Sequence, residues 1–417
     1  MTSAGQSGPS VRPDSGEQGL VAEVARQFEE PLPQRYEDAL RRVSRHLFLP
    51  DVVWPRDGVG GWRPVTRESE PAAWWQAAYA DAPLVTQFTD GQPSSSASMP
   101  SLVVRALMLA DPARHVGTAV DRAPGAGTGQ GRFRLLELGT GTGYNAALLC
   151  ALHGDSVVTT QELDPQLVQR ARRALKSAGY TPTIVIGDAS RELPHREGLF
   201  DVIEATFSVD HVPDTWRAAV RPGGRIVTPW FSDWSAFGTL ALDVYADGAA
   251  VGRFHPFGSF MTMRTPGAPS EGATTQDSDG TGQQSRAAAV STTSLSPWRV
   301  AGAGPDADFH LGIAVPHVSY EWDTSGQHAP VRLWLAHVDQ ESVAAIDYDG
   351  KDADASRFTV RQWGPKRLWD AAEAAYARWE LLGCPGVGEH TLVITPEGEH
   401  VVHVHDGQTP VLPRLSR

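Results

Sequence analysis

The run Glu137-Leu138-Gly139-Thr140-Gly141-Thr142-Gly143-Tyr144 constrains the fold more than any other stretch of the chain. An apolar run from Phe133 to Leu138 precedes it, and the Ala- and Leu-rich stretch Asn145 to Leu152 follows. This order predicts a strand that turns through closely spaced glycines into a helix. Such a turn presents backbone N–H groups and the positive end of a helix to a ligand. Glycine serves there because a Cβ would meet the ligand or because φ must be positive.

A pyrophosphate and the amino-acid end of S-adenosylmethionine both suit such a loop, and the downstream residues separate them. Ser156 to Glu162 reads as the next strand, and Glu162 stands 23 residues after Gly139, where a second strand presents a carboxylate to ribose hydroxyls. Both cofactors use that acid. The dinucleotide fingerprint wants its last glycine two residues further on, where Tyr144 and Asn145 stand. A third strand, Thr183 to Ile186, ends in Gly187-Asp188, where enzymes using S-adenosylmethionine often hold the adenine amino group. A fourth, Phe200 to Thr206, precedes a helix and then Arg221-Pro222-Gly223-Gly224-Arg225 leading into another strand, a common late element of the methyltransferase fold. Strands alternating with helices at this period predict an α/β, doubly wound, Rossmann-like class I methyltransferase with S-adenosyl-L-methionine as cofactor.

A chain of 417 residues predicts two domains. Its net charge of −13 argues against nucleic acid as the main partner, since neutralising phosphates needs a basic face. Two cysteines, Cys150 and Cys384, exclude a disulfide framework and a cysteine-rich zinc site, and Cys150 reads as a small buried hydrophobe. No apolar run approaches 18 residues and no signal-peptide core is evident, so no membrane partner and a cytoplasmic location are expected. His400, His403 and His405 lie close together, but no carboxylate cluster or cysteine pair accompanies them, and no metal site is expected.

Residues 1–19, small and polar, are expected to be disordered, and residues 20–264 to form the methyltransferase domain. Within the latter, Gly238 to Gly248 and Ala250 to Met261 read as a hairpin. Residues 265–296 are nearly all Gly, Ser, Thr, Ala, Gln and Pro and read as a flexible linker. Residues 297–417 predict a smaller C-terminal α+β domain. Its strands are expected at Phe309–Val315, Val331–Val338, Ser342–Tyr348, Thr391–Thr395 and His400–Val404, with a helix from Pro365 to Gly383.

Blocks upstream of the glycine loop narrow the assignment. Val43 to Pro50, then Tyr79-Ala80-Asp81-Ala82-Pro83-Leu84, then Gly91-Gln92, then Ser96-Ala97-Ser98-Met99-Pro100 come in that order. With Leu136 to Tyr144, the Pro-Gly-Gly strand and the closing Phe254-His255-Pro256-Phe257, they resemble the protein-L-isoaspartate O-methyltransferase family over roughly residues 40–264. The resemblance implies methyl transfer to a side-chain carboxylate of a peptide or protein. A carboxylate is already a nucleophile, so positioning matters more than a general base, and no convincing base stands near the motif loops. Ala205-Thr206-Phe207-Ser208 replaces the acidic or amide residue and Pro-Pro-aromatic of amine and adenine methyltransferases.

By resemblance, Ser98 is the catalytic loop hydroxyl that meets the substrate carboxylate or positions the methyl donor, with Ser96 where the family usually has threonine. Ser95, Ser96 and Ala97 are then expected along the cofactor. So are Glu137, Gly139, Thr140, Gly141, Thr142 and Gly143, with Glu162, Leu163, Gly187, Asp188, Ala189 and Thr206. The added tail, with Gln362 to Trp379 and the Pro396-Glu397-Gly398 hairpin, is similar to that of actinobacterial homologues associated with ribosomally made, post-translationally modified peptides of lanthipeptide, graspetide or lasso type. That implies a cyclised precursor peptide as partner, methylated on one Asp, with succinimide and isoaspartate as products and the tail as a recruiting domain on a tether. Isoaspartate repair is the alternative enzyme, and an inactive peptide-binding regulator the alternative of another class.

Overall fold

The computed structural model describes residues 13–58, 60–111, 133–194, 199–264, 288–302, 304–325, 331–350 and 357–404. They fall into two compact units, one within Met1–Thr206 and Ala218–Val227, the other within Phe207–Arg217 and Thr228–Arg417.

The first unit begins with helices α1 (Pro13–Ala25) and α2 (Gln34–Arg42), a 3₁₀ turn at Arg45–Phe48 and the small pair β1 (Val52–Val53) and β2 (Val65–Thr66). Helix α3 (Pro71–Ala78), the hairpin β3 (Leu84–Thr89) and β4 (Gln92–Ala97), and helix α4 (Pro100–Leu109) follow. Then come β5 (Leu135–Leu138), α5 (Tyr144–His153), β6 (Val158–Glu162), α6 (Pro165–Ser177), β7 (Thr183–Ile186) and β8 (Phe200–Ala205); helix α7 (Asp214–Ala219) belongs mostly to the second unit, and β9 (Val220–Pro229) follows, in the first unit as far as Val227. Strands β9, β8, β5, β6 and β7 lie side by side in that order, every neighbouring pair parallel. Chain order runs outward from β5 to β7 on one side and from β8 to β9 on the other. The reversal between β5 and β8 is the switch point at which such sheets open a crevice beyond their C-terminal ends.

Burial explains why these strands are central. All four residues of β5 are buried, as expected of a parallel strand covered on both faces. The Pro-Gly-Gly segment lies inside β9 as a bulge. Phe200 pairs with Val220 but Val202 with Arg225, and a Cβ on Gly224 would lie 2.6 Å from the Asp201 carbonyl oxygen.

In the second unit, β10 (Thr239–Val244) and β11 (Ala250–His255) form the expected hairpin. A separate antiparallel sheet has the order β12 (Ala289–Thr293), β16 (Phe358–Trp363), β15 (Val343–Tyr348), β14 (Val331–His337) and β13 (Val318–Asp323). Helices α8 (Pro297–Val300), α9 (Pro305–Ala314) and α10 (Leu368–Leu381) share one core with it, in which Leu333, Leu335, Ile346 and Val360 meet Leu311, Trp369 and Ala372. The closing strands β17 (His390–Ile394) and β18 (His400–Val404) pair with each other, and β17 pairs with β11.

Four expectations change. Residues 13–19 are helical, not disordered, because α1 buries Leu20, Val21 and Val24; residues 1–12 lie outside the described residues. Of the supposed linker 265–296, residues 265–287 lie outside the described residues, whereas Ala289–Thr293 is the edge strand β12. Its side chains are small and mostly exposed, as an edge allows, and Thr293 anchors it by donating to Glu373 at 2.6 Å. Of Phe309–Val315, expected as a strand, all but the capping Val315 belongs to α9, where Pro305 opens the helix and Asp306 and Asp308 favour its positive end. Finally, β17 and β18 do not join the five-stranded sheet of residues 289–363. They extend the β10–β11 hairpin, so the boundary expected at residue 264 does not separate the elements. The edge of β11 needs a partner, and β17 supplies it.

No helix among the described residues is long and apolar enough to cross a membrane. Cys150 is buried and Cys384 exposed, both unpaired as thiols.

Candidate active site at the switch point

The loop after β5 adopts the backbone its glycines allow. Gly139, Gly141 and Gly143 have φ of 91°, 51° and 90°, in the left-handed region open to residues without a Cβ. Gly143 is doubly constrained, since a Cβ there would stand 3.2 Å from the Ala171 Cβ of α6. Thr206, at the end of β8, ties the loop down by donating its hydroxyl to the Gly139 carbonyl at 2.7 Å. Thr140 is buried and its hydroxyl meets that of Thr160, while Thr142 lies half-buried at the loop tip.

Glu162, at the end of β6, accepts from the Gly141 N–H at 2.8 Å through one oxygen and from Leu163 and Asp164 N–H groups at 2.9 and 3.1 Å through the other. Gly187 follows β7 and donates its N–H to the Glu162 carbonyl at 3.0 Å, and a Cβ on it would strike the Gln161 amide at 2.6 Å. Asp188 Oδ1 accepts from the N–H and hydroxyl of Ser190 at 2.9 and 2.6 Å. Its Oδ2 is buried without a hydrogen bond, with Arg191 Nε as an ion-pair partner at 3.4 Å. Ala189 sits between them, half-buried.

Glu137 departs from its expected place. It is fully buried beneath the loop, accepting from Asn145 Nδ2 at 2.9 Å and from the Thr160 hydroxyl. Its register partner on β8 is Glu204, also buried, which accepts from the same Asn145 at 3.4 Å. Burial raises Glu137 to about 7, against the lowering effect of its hydrogen bonds. Burial and repulsion from Glu137 raise Glu204 to about 8. Both acids are thus held toward their neutral forms, and through Asn145 they support the root of α5.

The serine run is a strand, not a loop. Ser95, Ser96 and Ala97 lie in β4, and Ser95 is buried, accepting from the Thr86 hydroxyl at 3.3 Å. β4 runs beside the glycine loop: a Cβ on Gly141 would stand 3.8 Å from the Ser95 hydroxyl and 3.9 Å from the Ser96 carbonyl oxygen. Ser98 comes immediately after, at the turn into α4, whose first turn is capped by Asp81 accepting from Ser101 N–H at 2.8 Å. The Ser98 hydroxyl is half-exposed and makes no hydrogen bond within the described residues.

Arg45 holds this corner, a role that sequence reasoning missed. Its guanidinium is fully buried and donates to five carbonyl oxygens, those of Ala78, Ala80, Ala82, Ala97 and Ser98, at 2.8–3.3 Å. Burial lowers it to about 10, so it stays charged at neutral pH. The planar fork of arginine suits several carbonyls at once, which the block Val43–Pro50 could have suggested.

Among the described residues no group of three or more His, Cys, Asp and Glu is placed to hold a metal. His400 is committed elsewhere, taking the Val212 N–H at 3.1 Å and meeting the Gly398 carbonyl at 3.0 Å, and His405 lies outside the described residues.

Part of the chain is similar to known proteins. Residues 64–235 match the model of the protein-L-isoaspartate(D-aspartate) O-methyltransferase family. The chain is 31% identical over 192 residues to protein-L-isoaspartate O-methyltransferase 2 of Shewanella sediminis, covering 46% of this chain and 60% of that one. It is 34% identical over 153 residues to the protein-L-isoaspartate O-methyltransferase of Thermotoga maritima, covering 36% of this chain and 42% of that one. The chain thus spans about half the length of these two relatives. A solved structure titled protein-L-isoaspartate O-methyltransferase aligns with a TM-score of 0.50 at 18% identity, over 93% of this chain and 99% of that chain, a likeness of fold. The chain has the α/β fold of class I methyltransferases with a β-rich addition, and its residues 64–235 are similar to the protein-L-isoaspartate(D-aspartate) O-methyltransferase family.

Proposed function

We propose that this chain is an S-adenosylmethionine-dependent carboxyl O-methyltransferase whose acceptor is the carboxylate of an isoaspartyl residue in a peptide or protein. The observation that carries the proposal is the approach of the β4 serine strand to Gly141 at the switch point, with Ser98 at its end. The residues fit the cofactor. Left-handed glycines leave space at the head of α5, Glu162 stands at the end of the second strand beside the Gly141 N–H, and the buried Asp188 Oδ2 lacks a hydrogen-bond donor. When bound, S-adenosylmethionine supplies a methyl group on a cationic sulfur, open to attack by a carboxylate oxygen.

The chain's own residues then have positional tasks. Thr206 fixes the start of the glycine loop, Arg45 fixes the carbonyls around Ser98, and the Ser98 hydroxyl is left to donate to an acceptor carboxylate. Such alignment is the larger part of what this reaction requires, because the nucleophile arrives ionised. Leu163, Gly187 and Ala189 would line the adenosine side. Action in the cytoplasm belongs to the same proposal.

A second acceptor, one chosen Asp in a cyclised precursor peptide, is favoured by the sheet and helices beyond residue 288, outside the stretch that matches the family. There the ester is lost as methanol when the next backbone nitrogen attacks, leaving a succinimide. Mass spectrometry separates the two. An isoaspartyl peptide gaining about 14 Da, while the matching Asp peptides, linear and cyclised, stay unchanged, fits the first. Loss of about 18 Da at Asp in a cyclised peptide alone fits the second. A chain that binds no S-adenosylmethionine by calorimetry would be neither, and a peptide-binding protein would remain.

A further inference from the structure

Helix α6 carries Arg170, Arg172, Arg173 and Lys176, a dense run of cations in a chain whose net charge is −13. Two of them, Arg170 and Arg173, line a cleft of about 440 Å³ within the first unit. They stand one turn apart on the stripe that continues to Ala174 and Ser177. Leu47, Leu49 and Pro50 also line the cleft, and Gly141 and Thr142 bring it to the tip of the glycine loop. Leu47 is 40% exposed although apolar. Neither arginine has an ion pair or a side-chain hydrogen bond among the described residues, and Asp51 is the single acidic residue of the lining. Cations left unneutralised beside apolar surface, on an otherwise acidic chain, make this cleft complementary to an acidic segment that also carries an apolar side chain.

We propose that this cleft docks an acidic-x-acidic stretch of the peptide substrate, flanking the residue to be methylated. The proposal rests on the carboxyl-methyltransferase function above and names what that site selects. In an extended peptide, alternate side chains share one face and are about 7 Å apart, while the Cβ atoms of residues three apart on a helix are about 5–6 Å apart. Two carboxylates in that spacing reach Arg170 and Arg173 together, and the residue between them turns toward Leu49 and Pro50. The occupant is a peptide and not the cofactor, because Glu162 and Asp188 do not line the cleft.

The test uses the full chain and isoaspartyl peptides bearing Glu-Leu-Glu, Gln-Leu-Gln or Lys-Leu-Lys on both sides of the isoaspartate. The glutamate peptide is expected to have a KM about tenfold below the glutamine peptide, with kcat unchanged and the advantage lost at high salt. Arg170→Glu with Arg173→Glu should reverse the order, favouring the lysine peptide, while S-adenosylmethionine affinity by calorimetry stays as in the parent. Arg170→Gln with Arg173→Gln should erase the preference, and serves if the reversal impairs folding. Equal KM values for the three peptides in the parent chain would overturn the proposal, as would a loss of cofactor affinity matching the loss of peptide affinity. Fluorescence anisotropy of the labelled Glu-Leu-Glu peptide reads docking without turnover. Docking with no methylation would therefore refute the enzymatic function and leave the cleft standing, and methylation with no charge preference would do the opposite.

Discussion

At Arg45 a full positive charge leaves water and is met mainly by backbone carbonyls. Its five carbonyl partners belong to two segments, Ala78–Ala82 and Ala97–Ser98, and the guanidinium is what holds them together. Replacing it with methionine leaves those carbonyls buried and unpaired, and Arg45→Met should cost about 3 kcal/mol in urea denaturation. Arg45→Lys should recover only part of this, since a point charge cannot span the set. Glu204 makes the opposite kind of demand. With its folded value raised to about 8 against an ordinary 4.5, the folded chain holds a proton there that the unfolded chain releases. Its contribution is therefore fully present below pH 4.5 and is lost as pH rises through about 8. Glu204→Gln keeps an acceptor for Asn145 and removes the charge. Its melting temperature should exceed the parent's at pH 9 and match it near pH 5, and equal profiles would show that Glu204 is not held neutral. The sequence displayed neither role. Arg45 sits in a block whose resemblance was visible, but the five carbonyls come from residues 33 to 53 positions away. Glu204 reads as one of two acids in β8 until register places it opposite Glu137.

At the level of elements, the glycine loop is legible because its backbone demand is local. Three glycines at alternate positions between an apolar run and an Ala/Leu run leave few other structures open, and all three adopt positive φ. Gly143→Ala should lower stability by about 2 kcal/mol, since it combines a left-handed φ with a 3.2 Å contact to Ala171. A thermal melt at equal concentration reads it, and an unchanged melting temperature would contradict the packing described. Elements whose form depends on distant partners were less legible. Phe309–Val315 is apolar and short, a pattern shared by buried strands and buried helices, and only Pro305 and the acids after it favour the helix. Strand β12 looks like linker because an edge strand needs little apolar surface; its order comes from β16. Glu137 is expected along the cofactor by resemblance, while its side chain bonds to Thr160 and Asn145.

For the whole molecule, the alternation of strands and helices announced the parallel array and its switch point, but not the partition of the chain. Strand β17 pairs with β11 from across more than 130 residues, and composition carries no trace of such a pairing. The second unit also buries a pair of imidazoles. His390 Nδ1 meets the Gly386 carbonyl at 2.9 Å, and its Nε2 lies 3.1 Å from His310 Nδ1. Burial lowers His310 to about 3, from an ordinary 6.5. The folded state thus refuses a proton that the unfolded chain accepts, so stability present above pH 6.5 is lost as pH falls toward 3. Melting temperatures should drop between pH 6.5 and 4, and His310→Gln should flatten that drop.

Transfer of labelled methyl from S-adenosylmethionine to an isoaspartyl peptide, followed by brief exposure to alkaline pH, addresses the central claim most directly. A carboxyl methyl ester releases its label as volatile methanol under base, whereas a methyl on nitrogen or on a phenol does not. Peptide-dependent label that is volatile after base is expected, with near-complete loss in Thr206→Val and Ser98→Ala chains that still fold. Label stable to base, or none despite cofactor binding, would contradict that claim.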